Sequence, residues 1–232
     1  SQEHSMDHVS PLSAEDPKVR RRNAAQTREN ILRVATAEFS AHGFSGARID
    51  EIAGLTSTTK RMIYYYFGSK EGLYLAVMES AYRVIRSLEE QLDIDHLEPV
   101  EALRVLAELT YDHHTSHKDF VRLVAIENIH HAAIISKSEV IPDLNLTAID
   151  TAERVLRRGV EAGVFRDDVD ALDLHMIISS YAVFHVANRY TFQTLFGRDL
   201  LDEARHAGYR RIAGDIAVST MLKCDHRLAS CQ

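Results

Sequence analysis

The stretch Lys60–Gly72 reads KRMIYYYFGSKEG. A basic pair precedes three consecutive tyrosines and a phenylalanine, and Gly68, Ser69 and Lys70 follow. A core of ordinary size absorbs only some of these aromatics, so the others face something else. Thr59 is a natural N-cap for a helix over Lys60–Phe67, Gly68 ends that helix, and Ser69 caps the next. At about 100° per residue, Ile63 and Phe67 share a face with Tyr64 beside them, and that face turns inward. Lys60, Arg61, Tyr65 and Tyr66 then spread over the opposite side.

On the N-terminal side, Ile31, Val34, Ala35 and Phe39 keep helical spacing over Ala24–His42, and Gly43 stops that helix at its C′ position. A short helix follows from about Arg48 to Gly54, with Ile49, Ile52 and Ala53 inward. Thr56-Ser57-Thr58-Thr59 is poor in helix formers and makes a turn. Two short helices across a tight turn, after a longer one, form the arrangement of a helix-turn-helix reader. Arg and Lys donate to guanine edges or phosphates, and Tyr hydroxyls donate to phosphates while their rings pack on sugars or thymine methyls. Lys70 stands at a helix N-terminus, where free N–H groups and the dipole favour a phosphate. The alternative is a charged, aromatic-rich surface on a core helix.

Charge distribution favours the reader. From Arg20 to Lys70, nine Lys and Arg stand against four Asp and Glu, a net +5 in a chain of net −7, so the rest carries −12. A basic module on an acidic body suits a polyanionic partner. Residues 1–22 read as a disordered polar tail ending in the triplet Arg20-Arg21-Arg22, which is either a solvated charge or a phosphate contact. No secretory apolar core and no membrane-length apolar run are present. Cys224 and Cys231 are the only cysteines of the 232 residues, which fits a reducing compartment, and a cytoplasmic location is expected.

Further helices are expected over about 70–91, 99–117, 118–135, 143–162, 170–194 and 199–223. No segment alternates at period two, so the fold class is all-α, with about nine helices: a reader over 23–69, a larger bundle over 70–225, and a tail over 226–232.

The segment from Thr27 to Glu79 resembles the N-terminal domain of the tetracycline-repressor family. The resemblance rests on Ile31-Leu32, Ala35, Phe39, Gly43-Phe44, Ile52-Ala53, Tyr64, Tyr66-Phe67, Ser69-Lys70-Glu71 and Leu73, at matching offsets and without a gap from Ile52 to Phe67. There are departures. The family's Ala-Gly-Val-Ser turn is Thr56-Ser57-Thr58-Thr59 here, with Ser57 in place of glycine. Arg61 stands where a small glycine is common, two residues into the recognition helix. Arg48 or Ile49 replaces a threonine, and Arg48 is placed to take over a phosphate contact. The resemblance implies a ligand-responsive regulator, most often a repressor, that binds a double-stranded operator as a homodimer and needs no cofactor. The expected DNA-contacting residues are Arg48, Thr58, Thr59, Lys60, Arg61, Met62, Tyr64, Tyr65, Tyr66 and Lys70.

The resemblance also implies a C-terminal part that dimerises and encloses a pocket. The helices over 170–194 and 199–223 are candidates for a dimeric four-helix bundle. Polar residues within apolar helices mark the candidate pocket: Glu127, Asn128 and His131 on one, His175, Ser179 and Tyr181 on the other. His175, Ser179, Ala182, His185 and Arg189 share a face, and this stripe suits a ligand cavity, a wet subunit seam, or core groups satisfied by neighbouring helices. Histidines in a pocket wall would make affinity depend on pH near about 6–7. A rival reading uses the thirteen histidines. His113 and His117, at i and i+4, have a zinc-compatible spacing, and with the His130-His131 pair they could build a metal-dependent enzyme or sensor. The zincin pattern needs Glu where His114 stands, and no third ligand is specified, so no metal site and no catalytic residue is assigned.

Overall fold

A computed structural model describes residues 17–223, apart from the Thr147 side chain. Among them are ten α-helices: α1 Pro17–Gly46, α2 Ile49–Leu55, α3 Lys60–Phe67, α4 Lys70–Glu90, α5 Pro99–Ser116, α6 Lys118–Ile129, α7 Ile141–Glu161, α8 Ala171–Ala187, α9 Arg189–Phe196 and α10 Glu203–Met221, with a 3-10 turn at Ile135–Lys137. One isolated antiparallel bridge joins Phe165 to Leu222. The all-α class holds. Cys224, Cys231 and the tail expected over 226–232 lie outside the described residues, as do residues 1–16.

Three boundaries differ from the sequence reading. α1 begins at Pro17, so Arg20, Arg21 and Arg22, assigned to the tail, are helical. The helix expected to run to residue 135 stops at Ile129. There His131 and Ala132 take φ of 55° and 58°. The buried Glu127 carboxylate accepts the N–H groups of Ile134 and Ile135 at 3.3 and 3.0 Å, which fixes the turn. The helix expected over 170–194 is two helices broken at Asn188. The chain is redirected there by Arg189, which donates in fork geometry to both Asp199 oxygens at 2.7 and 2.6 Å.

The remaining ends follow local chemistry. Gly43 interrupts α1 at φ 69°. The Thr59, Ser69, Asp170 and Asp202 side chains cap α3, α4, α8 and α10. Gly72 is required in the first turn of α4, because a Cβ there would lie 2.1 Å from the carbonyl oxygen of Phe67, the last residue of α3.

One core packs α1 to α4 around Ile31, Phe39, Ile52, Ile63, Leu73 and Tyr74, and takes in Leu123 of α6. A second packs α5, α7, α8 and α10 around Leu103, Leu106, Phe165, Leu174 and Met221. Arg210 donates to Asp112 at 2.7 Å and to Glu108, and Arg104 pairs with Asp215 at 2.8 Å, tying α10 to α5. α4 belongs to both halves. Its first turns fill the N-terminal core, while Ile85 lies in a third cluster with Phe120, Val121 and Val186.

Candidate nucleic-acid interface and internal cavity

The turn between α2 and α3 is a Schellman motif. Thr58 N–H donates to Ala53 O at 3.1 Å and Ser57 N–H to Gly54 O at 3.5 Å. This motif places Ser57 at φ 52°, in the left-handed region that glycine adopts freely. The departure from the family turn therefore leaves the turn intact, at a conformational cost. Thr59 then opens α3, its hydroxyl accepting Met62 N–H at 3.2 Å.

On α3, Ile63 is fully buried. Tyr66 and Phe67 are half-buried and pack against the N-terminal core, and Arg28 lies over the Phe67 ring at 5.0 Å. Tyr64 and Met62 are exposed, and Tyr65 is 78% exposed. Tyr64 and Tyr66 thus exchange the sides expected for them. Residues three and four beyond Ile63 flank it on the helix, and the next residue does not. Arg61 and Arg48 are exposed. Lys60 pairs with Asp50 of α2 at 2.9 Å, an exposed contact that raises its pKa and that a phosphate can displace. Lys70 starts α4 with its ammonium 5.1 Å from the Phe44 ring centroid. The exposed side of α3 therefore gathers Lys60, Arg61, Met62, Tyr64 and Tyr65 beside Arg48. Thr58 and Tyr66 border a polar groove lined also by Asn23, Gln26, Thr27 and Asn30 of α1, which the sequence reading missed.

The second feature is a cavity of about 330 Å³ between α4, α6, α7 and α8, with His114 of α5. Tyr82, Ile85, Phe120, Val121, Val124 and Ile149 supply apolar wall. His175 and Ser179 line it as expected, and Ser179 donates to the His175 carbonyl at 2.7 Å. The other ligand candidates do not. Asn128 and His131 are exposed, and the Asn128 amide turns back to its own helix at Val124 O. Glu127 is buried but occupied by the turn that follows α6. Tyr181 packs among Tyr111 and His185, with ring centroids 5.9 and 4.3 Å away. The polar stripe of α8 therefore faces inward and divides: His175 and Ser179 reach the cavity, and Ala182 and His185 enter that aromatic cluster.

The residue missed at the cavity is Arg86, 5% exposed, which donates to Glu89 at 2.6 Å and to Asn145 at 2.9 Å. Tyr82, Arg86 and Glu89 stand at i, i+4 and i+7 on α4, and that spacing was the available signal. Burial pushes the His175 pKa down and lowers that of His114 to about 4, so His114 does not titrate in the pH range expected of a histidine in the wall. A smaller cavity of about 240 Å³ adjoins across Ile85, Glu89 and His114 and is lined by His113 and His117. Those two rings stack at 4.1 Å, and His113 is buried with neither ring nitrogen partnered. Among the described residues no three His, Cys, Asp or Glu converge on a possible metal position. His130 and His131 lie exposed in the turn after α6.

Residues 31–77 match the family model described as bacterial regulatory proteins of the tetR family, and residues 99–217 match that of the tetracyclin repressor-like C-terminal domain. The chain belongs to the tetracycline-repressor family. It is 36% identical over 200 residues to the HTH-type transcriptional repressor NicS of Pseudomonas putida, covering 86% of this chain and 94% of that one. It is 28% identical to the HTH-type transcriptional repressor SCO4008 of Streptomyces coelicolor, over 74% of this chain and 80% of the other. The crystal structure of the putative transcriptional regulator SCO4942 from Streptomyces coelicolor superposes with a TM-score of 0.62 at 27% identity, covering 82% of this chain and 97% of that one. This family member is accordingly a DNA-binding transcriptional regulator and not an enzyme, and nothing supports the histidine-based metal reading.

Proposed function

We propose that the protein is a homodimeric repressor that holds a palindromic operator with two copies of α3 in successive major grooves and releases it when a small molecule fills the cavity lined by α4, α6, α7 and α8. The observation that carries this reading is the course of α4. It begins at Lys70 beside the reader and runs without a break to Arg86 and Glu89 in the cavity wall. A ligand that wedges α4 from α7 or α8 moves a helix whose first turns, Leu73 to Met78, are packed into the reader's core. The displaced state spaces the recognition helices away from the roughly 34–36 Å of one DNA turn, and ligand selects it by binding it more tightly. α6 supplies a second link: Asp119 accepts the Ser40 hydroxyl of α1 at 2.8 Å.

In this reading residues 23–69 are the reader and residues 70–225 the effector and dimer unit, working in the cytoplasm. The subunit seam is the outer face of α8, where Met176, Ser180 and Phe184 recur every four residues, exposed, with Ile212 of α10 exposed as well; Leu172, one turn earlier, is exposed at the rim of the cavity. Repressor function agrees with the named activity of the two curated relatives.

The test fills the cavity. Ala148, buried in its wall, is replaced by Phe, and full-length protein is assayed by fluorescence anisotropy on an operator obtained by selection from random DNA. Metabolites that raise the melting temperature of the unaltered protein should also release the operator. Ala148→Phe should hold the operator and lose both responses. Release that persists undiminished in Ala148→Phe would place the effector site elsewhere.

A further inference from the structure

The polar inventory of the same cavity specifies its occupant, an inference that rests on the effector reading above. Arg86 is nine-tenths buried and has five N–H donors. One Nη1–H goes to Glu89 Oε2 and one Nη2–H to Asn145 Oδ1, while Nε has no partner. Asn145 spends its oxygen on Arg86, which leaves its amide N–H groups as donors. Ser179 has already given its proton to the His175 carbonyl. His114 gives its Nδ1 proton to the Thr110 carbonyl at 2.7 Å, so its neutral ring presents only an acceptor at Nε2. Surplus donors therefore concentrate at Arg86 and Asn145, on facing sides of α4 and α7. The rest of the wall is apolar apart from the Glu89 carboxylate, the Tyr82 hydroxyl and the His175 imidazole, whose neutral ring offers one donor and one acceptor.

We propose that the effector is a small monocarboxylate with an apolar body of about one ring, its carboxylate chelated by Arg86 and assisted by the Asn145 amide. A carboxylate offers two oxygens in the spacing that a guanidinium fork accepts, which a single carbonyl does not. The size follows from the cavity. A dry cavity of about 150 Å³ takes up benzene, so about 330 Å³ has room for one substituted ring and its carboxylate. Glu89 is the competing partner. It holds Nη1 at 2.6 Å, and burial raises its pKa against the opposing effect of Arg86, which favours the protonated carboxyl that can yield Nη1 to an incoming carboxylate.

The experiment uses full-length protein and matched probes, each acid beside its primary amide: acetate, benzoate and 1-naphthoate with acetamide, benzamide and 1-naphthamide, by isothermal titration calorimetry. Benzoate should bind best of the acids and at least tenfold better than benzamide, about one per protomer. Arg86→Met alone strands Glu89 in the interior, so the double variant Arg86→Met/Glu89→Gln removes both charges together. It should lose the acid-over-amide preference while benzamide binding changes by no more than about twofold. Glu89→Gln alone, which removes the rival charge and keeps the shape, should tighten benzoate by about tenfold. The proposal is overturned if no acid binds better than its amide, or if the preference survives in the double variant. Operator release is read in parallel. Acids that bind with the expected preference but never release the operator would retain the carboxylate site and overturn the regulatory reading. A neutral molecule that releases the operator through the cavity, with every acid inert, would do the reverse.

Discussion

Acidification should unfold this protein through two buried histidines. Burial lowers the pKa of His113 to about 3, helped by the neighbouring charges of His117, His114 and Arg86, and lowers that of His114 to about 4. In the unfolded chain each titrates near 6.5. Below that pH the unfolded state takes up protons that the folded state refuses, so stability is full above about pH 6.5 and falls as the pH drops toward the folded values. The slope is about 1.4 kcal/mol per pH unit for each histidine, so from pH 7 to pH 5 each removes about 2 kcal/mol and the pair about 4. Typical total stability is about 5–15 kcal/mol, so the loss is large. The assay is urea unfolding at both pH values. His113→Phe isolates one group: neither ring nitrogen has a partner to lose, and the site is already lined by stacked rings. The variant should lose about 2 kcal/mol of the wild-type drop between pH 7 and pH 5, with an unchanged m-value, the remainder coming from His114 and from His175 and His185, which burial also pushes down. A drop as steep as wild type would show that His113 is not held neutral in the fold.

Three further outcomes follow. Arg61→Ala should cost about 1–3 kcal/mol at the specific operator and relax discrimination at one base pair per half-site, read by anisotropy on single-substitution operators; equal losses on operator and random DNA would make Arg61 a backbone contact. Ser57→Gly relieves a left-handed serine and should raise stability by about 0.5–1 kcal/mol by urea unfolding, the strain removed exceeding the entropy given to the unfolded chain; a loss of stability would contradict the strain. Met176→Asp, on the exposed apolar row of α8, should yield monomers by sedimentation velocity that retain the far-ultraviolet helical signal and bind operator poorly; an unaltered dimer would move the seam off this face.

The reader was legible because its signals are local. Caps at Thr59 and Ser69, the stop at Gly43 and the stripe Ile31-Val34-Ala35-Phe39 each act within a few residues, and all stand as read. Tyr64 and Tyr66 were exchanged because eight residues of helix give two acceptable inward arcs, and only packing against α1 and α4 selects one. Beyond residue 117 the signals are tertiary. The end of α6 is set by Glu127 reaching backbone N–H groups seven and eight residues ahead, and the break at Asn188 by Arg189 meeting Asp199 ten residues on. The cavity shows the same limit. Of the polar candidates on α6 and α8, His175 and Ser179 line it, but the decisive cation sits on α4 in a sequence, VIRSLEE, that reads as an ordinary amphipathic helix. Its burial depends on Asn145, 59 residues away.

Sequence-specific DNA reading by a symmetric pair of α3 helices can be measured by selection from a random duplex library with the full-length protein. The enriched sequences should form an inverted repeat whose half-sites are centred about one helical turn, 10–10.5 base pairs, or a multiple of it apart. The same selection with Arg61→Ala should lose preference at one symmetric pair of positions. A library that emerges without enrichment, or enriched in a single unpaired element, would rule out a symmetric pair of reading helices.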